Sequence, residues 1–188
     1  MALFLDKIKI KGWLITACIF NMFFLSGCVK QSESIFLEDE ARNSLEELYI
    51  ILNGDEQIIE NAAAILIIPK ITAGSFIVGG SYGEGVLRIN EAPIDYYSIA
   101  SASYGLQVGA QRYSNIIFFM TQEALRSFRV KDGWELGVDA EVVFRDKGYS
   151  LGVSSNTVTK PIYAIVFDQK GLLAGTSLEG AKFSRLVR

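Results

Sequence analysis

One string in the sequence has the residue types and spacing of a catalytic nucleophile, the serine within Gly79-Gly80-Ser81-Tyr82-Gly83. It matches G-x-S-x-G, the motif in which a serine hydrolase presents its nucleophile on a turn between a strand and a helix. Here the following residues continue into the strand-like run Val86–Ile89, and the chain contains no histidine to act as the base. A serine hydrolase using Ser81, activated by a lysine such as Lys70, stays open as a distant alternative. We expect no catalytic residue and no enzyme activity.

Metal and phosphate sites have little support in the residue types. No glycine-rich loop is followed by Lys-Ser or Lys-Thr at P-loop spacing. Transition metals favour histidine and cysteine ligands, and the chain has no histidine and two cysteines, Cys18 and Cys28. The carboxylates Glu135, Asp139 and Glu141 do not follow the calcium-binding EF-hand pattern. We therefore expect neither a metal nor a cofactor.

The N-terminus has the order of charged and apolar residues that is typical of a secretory signal. Lys7, Lys9 and Lys11 precede an apolar run over residues 13–25. Because a membrane-spanning helix needs roughly 20 apolar residues, this run favours a cleaved leader over a retained anchor.

The lipidation motif follows at once, since Leu25-Ser26-Gly27-Cys28 looks like a bacterial lipobox. We expect residues 1–27 to be a lipoprotein signal peptide and Cys28 to carry acyl chains such as palmitate, because more than one chain gives stable anchoring. Cys18 would leave with the leader, so no disulfide is expected. By resemblance to lipoprotein sorting rules, Val29 favours the outer membrane, facing the periplasm if the source is Gram-negative.

The charge of the chain limits its partners. The net charge is −3, and removing residues 1–27, with three lysines and one aspartate, makes it two units more negative. An acidic protein is a poor candidate for nucleic acid or for polybasic attraction to anionic lipid. Three basic residues lie close together at the end of the chain, Lys182, Arg185 and Arg188. They could form a binding patch, or they could simply be solvated charges at a chain end.

Helical periodicity is clearest at the start of the mature chain. Residues 28–34 are predicted to be a polar tether, and a single domain is predicted over residues 35–188. Apolar residues then recur at three- and four-residue steps, at Leu37, Ala41, Leu45, Leu48 and Leu52. This amphipathic helix, ended by Asn53-Gly54, is acidic on its polar face, which favours packing on a sheet over lying on a membrane.

The rest of the sequence predicts mainly strands. Asp55 can cap a short helix through Ala63, and a second helix begins at Thr121 with Ala124, Leu125 and Phe128 inward. Strands are expected at residues 64–68 (ended by Pro69), 75–78, 86–89, 100–112, 116–120, 138–144, 153–158, 162–167 and 172–177, with a glycine corner at 79–85 and a turn at 168–171. The predicted fold class is α+β, with N-terminal helices packed on a strongly curved, mainly antiparallel β-sheet, open or barrel-like.

The stretch from Ala100 to Arg112 alternates cleanly between two kinds of residue. Apolar side chains occupy one face, at Ala100, Ala102, Tyr104, Leu106, Val108 and Ala110. Small and polar residues occupy the other, at Ser101, Ser103, Gly105, Gln107, Gly109 and Gln111. Small residues permit the close approach of a backbone, a helix or a ligand chain. The alternative is a closely packed strand with one side exposed to solvent.

Several of these stretches together resemble the SYLF domain family. They are Ala64–Pro69, Gly79–Gly85, Tyr104–Gln111, Asp132-Gly133-Trp134-Glu135, Gly171–Gly175 and Leu178-Glu179-Gly180, in the expected order. Eukaryotic members bind phosphoinositides and in some cases actin filaments, and bacterial members are often exported or lipid-anchored. The resemblance implies lipid binding and does not imply catalysis.

The lipid contact of that family is associated with a basic amphipathic segment, whereas the matching helix here is acidic. We therefore expect apolar lipid contact along the small-residue face, Ser101 to Gln111, with Arg112, Lys182 and Arg185 as headgroup contacts. The predicted function is that of a non-catalytic, membrane-anchored lipoprotein whose lipid-binding domain acts at the bacterial cell envelope. An envelope scaffold that binds a protein partner is the alternative.

Overall fold

A computed structural model describes residues 32–52, 57–131, 134, 140–144, 160–172 and 181–187. The residues from Leu37 to Val187 form one compact unit. In chain order the elements are α1 (residues 32–52), α2 (Gln57–Glu60), β1 (Ala64–Ile89), β2 (Ala92–Phe119), α3 (Gln122–Val130), β3 (Glu141–Phe144), β4 (Ile162–Leu172) and β5 (Lys182–Leu186). The leader, Cys28, the Asn53-Gly54 and Asp55 signals and the strand expected at 153–158 lie outside the described residues.

The described strands form one curved sheet. Their order is β1-β2-β4-β3, with β5 paired to β2, and every pair is antiparallel except β3 with β4. Among these strands β1 and β3 stand at opposite ends of the order, so the sheet does not close. The predicted α+β class with a mainly antiparallel sheet is confirmed.

The dominant feature of the sheet is a long hairpin. β1 and β2 pair from Ala64 opposite Phe119 to Ile89 opposite Ala92, and the two-residue turn between them has positive φ at Asn90 and Glu91. The predicted break at Pro69 is wrong, because β1 continues through it. The register shifts between Ile68 and Ile71, and a proline, which has no N–H to donate, is tolerated at such an irregularity.

The glycine-rich stretch lies inside β1 and does not separate two strands, so that division is also wrong. A Cβ added at Gly85 would lie 2.5 Å from the carbonyl oxygen of Ile67, and one at Gly83 would lie 2.8 Å from that of Lys70. The first part of β1 therefore packs directly on its later part, which only glycine permits at these two positions. This close backbone approach is one of the roles that a glycine in a strand can serve.

The helix α1 packs on one side of this sheet, as predicted. The helix begins at residue 32, so it includes residues 32–34, which were predicted to belong to the tether. Its apolar stripe is buried at Leu37, Ala41, Leu48 and Leu52, in a cluster with Ile67, Val86, Ile116, Phe118 and Phe167 from the sheet. The apolar face of α1 from Leu37 onward is thus used inside the domain.

The helix α3 packs in a second cluster that draws on β1, β2, β4 and β5, and its predicted start and inward face are confirmed. The Thr121 hydroxyl accepts the N–H of Ala124 at 3.1 Å and caps the helix. Ala124, Leu125 and Phe128 are buried. The Phe128 ring lies 4.8 Å from Tyr97 and 5.1 Å from Trp134, centroid to centroid.

The last two strands differ from the prediction. β4 continues through the expected turn at residues 168–171, where Asp168 and Gly171 have positive φ and the pairing with β2 shifts register. Residues such as Asp and Gly occur in both bulges and turns, because both structures need residues with positive φ. β5 was not predicted, because its five residues show no clear alternation.

Candidate functional site

The small-residue face of β2 is turned away from solvent where its side chains are described. Ser101 and Gly109 are half-buried and Gln111 is buried. Ser101 shares a 2.7 Å hydrogen bond with Ser81 on the facing strand, and the Gln111 amide donates to Gln169 Oε1 at 3.1 Å. Ser103, Gly105 and Gln107 lie in β2 between them, and their side chains are outside the described part of the structure. The described side chains Ser101 and Gln111 of this face therefore form hydrogen bonds within the protein.

Ser81 does not have the surroundings of a hydrolase nucleophile. It lies inside β1, opposite Ser101, and no helix follows it. Its hydroxyl also contacts Tyr113: burial raises the pKa of Tyr113, and the hydrogen bond with Ser81 acts in the opposite direction. The hydroxyl is thus part of an inward hydrogen-bonded group, and the strand-turn-helix context of the motif is absent at this position.

The opposite face of the same hairpin is apolar and exposed. We call it the outer hairpin face and define it by Phe76, Val78, Tyr82, Ala100, Ala102, Val108 and Ala110. The exposed fractions are 72% for Phe76, 65% for Val78, 71% for Val108 and 52% for Tyr82. Phe76 lies opposite Val108, and Tyr82 lies opposite Ala100. The alternation was visible in the sequence, but the sequence did not show that its apolar side is the one in solvent.

Two of the three predicted headgroup contacts lie at the ends of this outer hairpin face. Arg112 is exposed and pairs in register with Thr72, two positions beyond Ala110. Lys182 on β5 is exposed and lies opposite Ala100. Directly opposite residues of an antiparallel pair share a face, so a cation stands at each end of the apolar surface.

The third predicted contact, Arg185, is an exposed side chain that pairs with a buried carboxylate. It donates to Asp95 Oδ1, and Arg129 donates to Asp95 Oδ2 at 2.8 Å. Asp95 is buried, with 6% exposed, so its carboxylate joins β2, β5 and α3 through two guanidinium groups. Burial raises the pKa of the neighbouring Tyr97, and the Asp95 carboxylate raises it further. The structure gives Arg185 a role in holding the domain together.

The described residues show neither a metal cluster nor a spanning helix. No three His, Cys, Asp or Glu side chains within the described ranges gather as a metal site. Within the same ranges, no helix is long and apolar enough to cross a membrane.

Taken together, these features define an α+β domain with an extended surface as its candidate site. Residues 100–186 match the model of the family described as Ysc84, Las17-binding protein actin regulator. This is the SYLF domain family, and the match over residues 100–186 confirms the resemblance found in the sequence. SYLF domains are a lipid-binding family and not a known enzyme family. No curated protein matches the chain.

Proposed function

We propose that the protein is a non-catalytic bacterial lipoprotein, anchored by acyl chains on Cys28, whose SYLF domain binds membrane lipid at the cell envelope. The observation that carries this proposal is the SYLF match over residues 100–186. The proposed organisation is a signal peptide at 1–27, a tether from residue 28 to the start of α1 at residue 32, and the domain from α1 to residue 188. The location is the outer membrane facing the periplasm, if the source is Gram-negative.

The sequence of the leader supports a location at the membrane. Its basic and apolar segments lead directly into Leu25-Ser26-Gly27-Cys28. The family description also names an actin regulator, but a protein exported by such a leader would not meet actin. Lipid is therefore the better candidate ligand for this chain.

The anchor is tested by a Cys28→Ser variant. We expect the wild type to incorporate a palmitate analogue and to fractionate with membranes, and the variant to remain unlabelled and uncleaved. Each buried methylene contributes about 0.8 kcal/mol to membrane binding, so the loss of two or more chains removes stable anchoring. Cys18→Ser is the matched control and should behave like the wild type. An unlabelled wild type, or a Cys28→Ser form processed and located normally, would refute the anchor.

Lipid binding by the domain is tested separately, with protein that starts at residue 29 and so lacks both leader and acyl chains. We expect this protein to sediment with liposomes of bacterial phospholipids and to carry lipids detectable by mass spectrometry after extraction. If it neither co-purifies with lipid nor sediments with liposomes, the lipid-binding function is wrong for this member.

A further inference from the structure

The outer hairpin face is unusual because its exposed apolar side chains are contiguous. Scattered exposed apolar residues are normal on protein surfaces, but a contiguous apolar patch marks an interaction site. Phe76, Val78 and Tyr82 follow one another on the outward side of β1, and Val108 and Ala100 face them from β2. The helix α1 does not offer such a surface between Leu37 and Leu52, because its apolar stripe is buried against the sheet.

The two parts of the hairpin that carry this face are basic, although the chain as a whole is acidic. The protein has 21 acidic residues and a net charge of −3, yet residues 61–83 and 96–122 contain no Asp or Glu. Their basic residues are Lys70 and Arg112. Among the acidic residues around these ranges, Glu84 accepts a hydrogen bond from Tyr82, and Asp95 pairs with Arg129 and Arg185. Asp168 on the neighbouring strand β4 pairs with Lys170.

We propose that the outer hairpin face lies on a bilayer leaflet that contains anionic phospholipid. Phe76, Val78 and Val108 enter the boundary between headgroups and acyl chains, and Arg112 and Lys182 contact lipid phosphates. The proposal rests on the proposed function, which holds the domain at a membrane, and it assigns the contact to the apolar face of β2 in place of its small-residue face. An amphipathic tyrosine such as Tyr82 suits the boundary between apolar and wet regions.

Charge complementarity favours a bilayer over a second copy of the chain. Both ends of the face are cationic, Arg112 at one and Lys182 at the other. Two such faces packed on each other would bring cations together whichever way they were aligned, and like charges in close contact are unfavourable. Anionic headgroups instead neutralise both ends while the acyl region takes up the apolar centre.

The test places a tryptophan on the face and measures its contact with lipid. Protein expressed from the complete sequence, with Val78→Trp, is reconstituted into vesicles of phosphatidylethanolamine and phosphatidylglycerol, with or without brominated acyl chains. Val130→Trp on α3 is the matched control, because Val130 is also exposed and lies outside the face. Trp13 is removed with the leader in the mature lipoprotein, and Trp134 is buried and provides a constant background.

We expect the Val78→Trp emission to shift to the blue and to be quenched by brominated lipid, since interfacial apolar faces lie about 5–10 Å into this boundary. The Val130→Trp emission should change little. Adding Phe76→Ser and Val108→Ser to Val78→Trp should abolish the quenching, whereas Ile50→Ser and Val187→Ser should leave it intact. Replacing phosphatidylglycerol by phosphatidylcholine should weaken it, as should Arg112→Gln with Lys182→Gln.

Vesicle flotation of the same samples separates this inference from the proposed function. If the protein floats with vesicles and neither Val78→Trp nor a Phe76→Trp variant is quenched, the assignment of the face is wrong and the proposed function stands. If the protein does not float at all, the proposed function fails with it. If the Val78→Trp emission shifts with protein concentration in the absence of lipid, the face binds a second copy and the proposal is overturned.

Discussion

A Gly171→Ala variant is expected to lose about 3 kcal/mol of unfolding free energy, because the added methyl group meets both backbone strain and steric overlap. Gly171 has a φ of 110°, which residues with a side chain rarely adopt. A Cβ at this position would lie 2.3 Å from the carbonyl oxygen of Ala110. That oxygen belongs to the backbone of the neighbouring strand β2, and moving it would disturb the pairing of β2 with β4.

Gly74→Ala is the matched control, because Gly74 pairs with Ala110 from the other side of β2. The nearest atom to a Cβ at Gly74 is the Gly109 carbonyl oxygen at 4.0 Å, an ordinary contact. We expect this variant to stay within about 0.5 kcal/mol of the wild type. Urea unfolding followed by the fluorescence of buried Trp134 measures both. Equal unfolding midpoints for the two variants would contradict the strained geometry of β4.

An Asp95→Ala variant is the second change with a large expected effect, a loss of about 3 kcal/mol of unfolding free energy. The buried carboxylate accepts hydrogen bonds from Arg129 and Arg185 and so ties β2 to α3 and β5. Removing it leaves two guanidinium groups without their acceptor. Because these side chains are 37% and 61% exposed, water can partly replace the carboxylate. The cost therefore falls below that of leaving a fully buried charge unpaired.

The control for this variant is Asp39→Ala, which breaks the exposed ion pair with Arg42 on α1. Exposed pairs contribute about 0–1 kcal/mol, so this variant should unfold almost as the wild type does. Hydrogen exchange of β5 provides a second measurement, since β5 pairs with β2 over five residues that include Arg185. We expect Asp95→Ala to increase exchange in β5 more than in β1. Unchanged stability and unchanged exchange would show that the ion pairs of Asp95 with Arg129 and Arg185 do not stabilise the domain.

Local patterns in the sequence were sufficient for the helices and the buried strand. The three- and four-residue spacing of apolar residues predicted which side of α1 is buried, and Thr121 predicted the start of α3. The unbroken apolar run at residues 116–120 predicted a strand, and Ile116 to Phe119 are buried on both faces of the sheet. These features depend on residues within one or two turns of each other, so their physical cause lies within the local sequence.

The candidate site depends on residues that are distant in the chain, and the tertiary structure decided it. Alternation along β2 separates two faces but does not say which one meets solvent, because that depends on how β1 curls over Gly83 and Gly85. Arg185 looked like a free cation until β5 paired with β2 and brought it to Asp95, 90 positions earlier. The sequence by itself determined the periodic elements and the charge distribution of the chain. Long-range strand pairing decided which apolar residues and cations share one exposed surface, because register is set by contacts between distant strands.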